Sequence, residues 1–145
     1  MAGYLDQYGA GEEHREKIIK IVALSVAGVL IAGGILYFIF KNYAEERQVK
    51  RFFELLNAHD YSTAYGLWGC TASNPCRDYP MPKFMEDWGP QSTHAAGPWN
   101  ISKTRSCGSG VIVTIRHDSQ EDKLWVERNN LNIGFSPFPG CPPGR

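Results

Sequence analysis

Ile21-Val-Ala-Leu-Ser-Val-Ala-Gly-Val-Leu-Ile-Ala-Gly-Gly-Ile-Leu-Tyr-Phe-Ile-Phe40 is a run of twenty residues without a charged side chain. Wound as an α-helix at about 1.5 Å per residue, it reaches about 30 Å, the thickness of a bilayer's hydrocarbon core. Twelve of its residues are Ile, Val, Leu or Phe. Each of these favours insertion by roughly 0.3–0.6 kcal/mol near a helix centre. Tyr37 and Tyr43 suit the interfacial belt, and Lys20 and Lys41 can snorkel to the headgroups from either end. The competing reading of an apolar run is a buried core helix. The length, the absence of charge and the flanking residues together predict a transmembrane helix over 18–41, in a chain that crosses the lipid bilayer once. The run is longer than an ordinary signal-peptide core, and no small-x-small site follows it promptly, so we expect an uncleaved anchor.

The rest of the chain divides around this helix. The chain has 145 residues and no net formal charge. Residues 1–20 carry −1 (three Lys/Arg against four Asp/Glu), and residues 41–145 carry +1 (twelve against eleven). Neither side is basic enough to imply nucleic acid. Residues 1–17 read as a short N-terminal tail, extended through Gly11, with a charged collar from Glu12 that could start the helix early. Gly11 followed by Glu16 has the spacing of a pilin-type leader. Such subunits are apolar straight after the cut, whereas Glu12, Glu13, His14 and Arg15 follow here. Within the helix, Ala23, Ala27, Leu30 and Gly34 share a face, and Gly28 and Ala32 form a second small-xxx-small pair. Small residues let helix backbones approach closely, so these positions are candidates for docking another transmembrane subunit.

All four cysteines, Cys70, Cys76, Cys107 and Cys141, lie after the helix. An even number on one side favours disulfides and an oxidising compartment. Three pairings are possible. We prefer Cys70–Cys76, which closes a short loop, and Cys107–Cys141, which ties the tail to a hairpin. No C-x-x-C occurs and no His has convincing ligand spacing, so neither a metal nor a cofactor is expected. Arg15, Lys17 and Lys20 on one side nearly balance Lys41, Arg47, Lys50 and Arg51 on the other. The cysteines therefore decide the expected orientation, with the N-terminus cytoplasmic and the C-terminal domain extracytoplasmic, in the periplasm, on a cell membrane. Asn100-Ile-Ser102 is a glycosylation sequon that would matter only in a eukaryotic secretory setting.

After Lys41 the helix is expected to run on. Val49, Phe52, Phe53 and Leu56 fall at i, i+3, i+4 and i+7, an amphipathic stripe. Asp60 suits the N-cap of a second helix, on which Tyr61, Ala64, Tyr65 and Trp68 repeat that spacing. Residues 69–82 read as a loop, and Lys83–Trp88 as a third short helix with Phe84, Met85 and Trp88 inward. The period then changes from helical to two. Trp99–Ser106, Val111–Ile115, Leu124–Arg128 and Leu131–Phe135 read as strands, with a longer hairpin loop at Asp118–Asp122 and a two-residue turn at Asn129-Asn130. The expected fold class is α+β: a single transmembrane helix, then a small domain over 45–136 of two to three helices packed on a curved antiparallel sheet of about four strands. Residues 137–145 are expected to be an irregular C-terminal tail.

Val49-Lys-Arg-Phe-Phe-Glu-Leu-Leu-Asn-Ala-His-Asp-Tyr-Ser-Thr-Ala-Tyr-Gly-Leu-Trp68 resembles the opening of the nuclear-transport-factor-2-like superfamily. There a helix ends in a short turn before Asp-Tyr, a second helix carries Ala and an aromatic, and a curved sheet follows. The resemblance spans about residues 45–135. It departs from the family at the Cys70–Cys76 loop, where members often place a strand, and at the short end, which lacks a Trp-x-Ile strand. It implies a cone whose enzymes, such as ketosteroid isomerase and scytalone dehydratase, use polar groups inside. A carboxylate there would have a raised pKa and could act as a base. Asp78, Asp87, Tyr61, Tyr65 and His94 are the candidates. None sits in a recognisable catalytic pattern, so no catalytic residue is assigned and enzymatic activity is not expected. Two functions follow. One is an accessory subunit that docks in a membrane complex. The other is a cone that binds or isomerises a small apolar ligand. A buried Asp facing a Tyr in an open pocket would favour the second; an interior filled by aromatic rings would favour the first.

Overall fold

The computed structural model describes residues 6–94, 97–117, 120–137 and 139–141. It divides into two compact units, Met1–Lys41 and Asn42–Arg145.

The first unit is one helix, α1 (Asp6–Phe40). It starts earlier than the extended tail expected from Gly9 and Gly11. Once the apolar run forms a helix, each further residue adds one backbone hydrogen bond without a new nucleation cost. From His14 to Lys41 every side chain is exposed in the isolated chain. Among the described residues this is the one helix long and apolar enough to cross a membrane. Its polar Ser25 does not oppose that reading, because the hydroxyl donates to Ile21 O at 2.8 Å and is satisfied within the helix.

The second unit is α+β, in the order α2 (Tyr43–Asn57), α3 (Tyr61–Gly66), α4 (Met81–Trp88), β1 (Trp99–Cys107), β2 (Gly110–His117), β3 (Gln120–Glu127) and β4 (Ile133–Phe135). The helix is interrupted by a turn at Lys41 and Asn42 and resumes at Tyr43. Asn42 leaves helical geometry at φ −117°, ψ 12°, and its amide oxygen accepts from Arg128 Nη2 and Ser106 Oγ instead. Asparagine is a weak helix former because its side chain has such alternatives. α2 buries Val49, Phe52, Phe53 and Leu56 as its stripe requires. Its end is a Schellman motif. His59 N–H bonds Leu56 O, Asp60 N–H bonds Leu55 O, and His59 takes φ 58°, a left-handed position that glycine usually fills. Asp60 then caps α3 by accepting from Thr63 N–H, and the Thr63 hydrogen bonds hold its carboxyl below the ordinary range. α4 begins at Met81, two residues before the expected start, because Pro82 fits the first turn, where its missing N–H is no loss.

The four strands form one antiparallel sheet in the order β1-β2-β3-β4. A bulge between Ile101 and Lys103 shifts the register of β1. The β2–β3 hairpin is tighter than expected. His117 pairs with Gln120, so Glu121 and Asp122 belong to the strand; residues 118 and 119 lie outside the described residues. The two-residue turn at Asn129-Asn130 is also corrected. Glu127 N–H bonds Asn132 O and Leu131 N–H bonds Glu127 O, so the connection is longer, and Leu131 rather than an asparagine takes positive φ, at 57°. Gln48 Nε2 donates to Leu131 O at 3.1 Å and holds this turn against α2.

Val111, Val113, Ile115, Leu124 and Val126 present the inner face of the sheet to α2 and the other helices. The disulfides join Cys70 to Cys76 and Cys107 to Cys141, the pairs preferred from the sequence. Cys107 lies at the end of β1, so the second bridge carries Pro139 and Gly140 of the tail onto the sheet, where Lys123 Nζ donates to Pro139 O at 3.1 Å.

Candidate functional site

The interior of the second unit is where a ligand-binding cone would keep its site. Here it holds aromatic rings. Phe52, Phe53, Tyr65, Phe84 and Trp88 are each at most 2% exposed. Their rings meet mostly edge to face, with centroids 5.1 Å apart for Phe52–Trp88 and 5.3 Å for Tyr65–Phe84. Phe53 stacks on Trp99 at 4.6 Å, and Phe135 of β4 closes on Trp68 at 4.9 Å. Such pairs add about 0.5–1.5 kcal/mol each beyond the area they bury.

The nominated polar residues surround this packing, and the structure gives each a partner or leaves it in solvent. Tyr65 donates to Tyr79 O at 2.7 Å and accepts from Cys76 N–H at 3.2 Å. Tyr79 in turn donates to Asp87 Oδ2 at 2.8 Å. These bonds stitch the disulfide loop to α3 and α4. Burial, and then the Asp87 carboxylate, push the Tyr79 phenol well above its ordinary pKa, so it remains a hydrogen-bond donor. Tyr61 shares a hydrogen bond of 2.9 Å with His59 at an exposed turn. Asp78 is an exposed loop residue.

His94 is the nominated residue that meets a second titratable cluster. Its Nδ1 donates to Asp122 Oδ2 at 2.9 Å, since a carboxylate can only accept. His117 Nε2 lies 3.7 Å from the same oxygen. The side chains are 41%, 20% and 4% exposed for His94, Asp122 and His117. Trp88 and Phe53 pack beside the two imidazoles. This is a carboxylate-oriented histidine, one part of an acid–base pair. The neighbouring hydroxyl does not complete it. Ser92 gives its one hydroxyl proton to Asp87 O and accepts from the His94 backbone N–H, so it has no proton left to donate to the imidazole. Among the described residues no group of three His, Cys, Asp or Glu side chains has the geometry to hold a metal.

No protein-family model, curated protein or solved structure matches this chain.

Sequence reasoning missed Asp122, His117 and Tyr79 as members of these clusters. The β2–β3 register places Asp122 opposite Ile115, on the inner face, and that register depends on a turn length that composition does not reveal. The helix residues Ala23, Ala27, Gly28, Ala32 and Gly34 lie on α1, and an added Cβ at Gly28 or Gly34 meets nothing within 4 Å.

Proposed function

We propose that this protein is a single-pass, membrane-anchored accessory subunit of a membrane protein complex. Its C-terminal domain, of the nuclear-transport-factor-2-like type, braces or docks partners. The N-terminus is cytoplasmic and the domain lies on the extracytoplasmic, periplasmic side of the cell membrane, where Cys70–Cys76 and Cys107–Cys141 stay oxidised. The observation that carries this reading is the interior filled by Phe52, Phe53, Tyr65, Phe84 and Trp88, which puts the domain's working surfaces outside. The exposed apolar helix supports the anchor, and its small residues supply the docking stripe. The second reading, a domain that binds or isomerises a small apolar ligand, is favoured by the half-buried Asp87–Tyr79 pair alone. There the hydrogen bond joins a loop to a helix.

The test is purification of the full chain in mild detergent, with identification of the proteins that accompany it, for wild type and Gly34→Leu. Retention of a membrane partner by wild type and its loss from the variant are expected. Equal recovery from both would remove the docking stripe, and a chain soluble without detergent would remove the anchor. Alkylation of intact protein without reductant should label no cysteine; four labelled thiols would overturn the extracytoplasmic placement.

A further inference from the structure

The outer face of the sheet, away from the helices, concentrates positive charge. The register sets Lys103 and Lys123 on either side of Thr114, and Arg105 opposite Ile112. Arg116 stands one pleat further along β2 on the same face. These side chains line a groove of about 300 Å³. Its floor is Ile112 and Thr114, 4% and 7% exposed. One wall is Pro139–Gly140, pinned by the Cys107–Cys141 bridge. Among the described residues four cations thus face one carboxylate, Glu121, which is engaged by Arg116 at 2.6 Å. Lys103 and Arg105 form no ion pair among the described residues.

We propose that this groove binds a ligand carrying phosphoryl groups. No two of these cations stand directly opposite each other, but like charges gathered on one face still repel over such distances, so a cluster of this kind gains from an anion. A phosphoryl group offers several acceptor oxygens to the planar fork of Arg105 and to the point charges of Lys103 and Lys123. The two lysines are separated by two strand spacings, about 9–10 Å, and Lys103 and Arg105 by about 7 Å along β1. That spread suits a diphosphate or two neighbouring phosphates better than one carboxylate. The buried hydroxyl-bearing floor and the clamped tail give the site a fixed shape, unlike a scatter of surface lysines.

The chemistry is shared by a soluble phosphorylated solute and a phospholipid headgroup, and the experiment separates them. The full chain is placed in nanodiscs of phosphatidylcholine and titrated with inorganic pyrophosphate by calorimetry. Saturable binding is expected, weakened about tenfold or more in Lys103→Gln/Arg105→Gln and unchanged in Arg47→Gln, an exposed cation on α2. Both altered positions are exposed, and an unchanged thermal midpoint would show that the fold is retained. Repetition in nanodiscs containing phosphatidylglycerol identifies the source: lost pyrophosphate binding means headgroups occupy the groove, and retained binding means a soluble ligand. The absence of saturable binding in phosphatidylcholine overturns the proposal, as does equal weakening in Arg47→Gln, which would mark diffuse attraction.

Discussion

Replacing Arg128 with glutamine would cut the tie between the first turn of α2 and the sheet. The guanidinium donates to Glu45 Oε1 at 3.0 Å, to Asn42 Oδ1 at 3.0 Å and to Ser106 Oγ. Glu45 is 4% exposed, so its carboxylate would lose its countercharge where water barely reaches. Breaking one side of a fully buried pair costs about 3–5 kcal/mol. Two features lower that figure here. The Arg128 side chain is 31% exposed, so solvent already screens part of the attraction. Glu45 also sits in the first turn of α2, where the helix dipole favours negative charge by about 0.3–1 kcal/mol. We expect a loss of about 2–3 kcal/mol. In a domain of about a hundred residues this is a fall in Tm of about 10–20 °C.

Glu45→Gln leaves the guanidinium partly hydrated and should cost less. The double variant then isolates the pair, with an expected coupling of at least about 1.5 kcal/mol. The assay is urea denaturation of the full chain in detergent, followed by tryptophan fluorescence with the disulfides intact. Raising the salt to about 1 M shortens the screening length to about 3 Å and should leave most of this coupling in place. Additive single variants, within about 0.5 kcal/mol, would refute the reasoning and place the pair among exposed ion pairs of little worth.

His59→Gly should raise stability by about 0.5–1 kcal/mol, because a left-handed non-glycine residue is strained by about 1–2 kcal/mol and glycine is not. A lower denaturation midpoint would show that the lost His59–Tyr61 contact outweighs that strain. The Tyr79 phenol has its pKa raised on folding, so its contribution is intact below about pH 10 and is lost as the pH climbs further. Tyr79→Phe should cost about 1 kcal/mol at neutral pH and flatten the alkaline fall in stability; an unchanged alkaline slope would assign that fall to other groups. Removing Cys107–Cys141 by serine substitution should cost more than removing Cys70–Cys76, since the separations are 34 and 6 residues. Loop closure alone gives about 4 and about 2 kcal/mol, read from denaturation midpoints without reductant.

Much of the fold was legible because period and burial agree. The stripe Val49, Phe52, Phe53, Leu56 needs a core on one side, and the core is there. The alternation in Leu124-Trp-Val likewise set the inward side of β3. What escaped was set by side chains from distant segments. The helix breaks at Asn42 because residues 106 and 128 claim its side chain, and no local signal announces partners more than sixty residues away. Leu131 takes the left-handed position in a turn next to two asparagines because Gln48 and the core hold it there. The basic groove was invisible for the same reason. Lys103, Arg105, Arg116 and Lys123 are scattered through three strands, and the register alone brings them together. The candidate interior residues were nominated by type, and the partners that engage Tyr65, Asp87 and His94, namely Tyr79, Cys76 and Asp122, lie in other elements that no local spacing reveals.

β2 has a feature that a sheet covered by helices on one side does not explain. Val111, Val113 and Ile115 are buried on the inner face, yet Ile112 and Thr114 on the outer face are buried too. An antiparallel sheet with one solvated face should alternate. The outer cover comes from the tail and from long side chains. Trp125 lies over Gly110, where an added Cβ would strike the indole, and Pro139–Gly140 shares a groove with Ile112. The Cys107–Cys141 bridge therefore does more than shorten a loop, because it holds the second cover of the central strand. In Cys141→Ser the tail is released and Ile112 gains water. Part of the roughly 1.5–3 kcal/mol of a buried isoleucine is then added to the loop-closure term, for a total of about 5 kcal/mol. Hydrogen exchange without reductant would locate the change: faster exchange in β2 and β1 is expected, with α2 and α3 unaffected below the unfolding transition. A loss confined to about 4 kcal/mol, with β2 protection intact, would mean that Arg105, Lys123 and Trp125 shield Ile112 unaided.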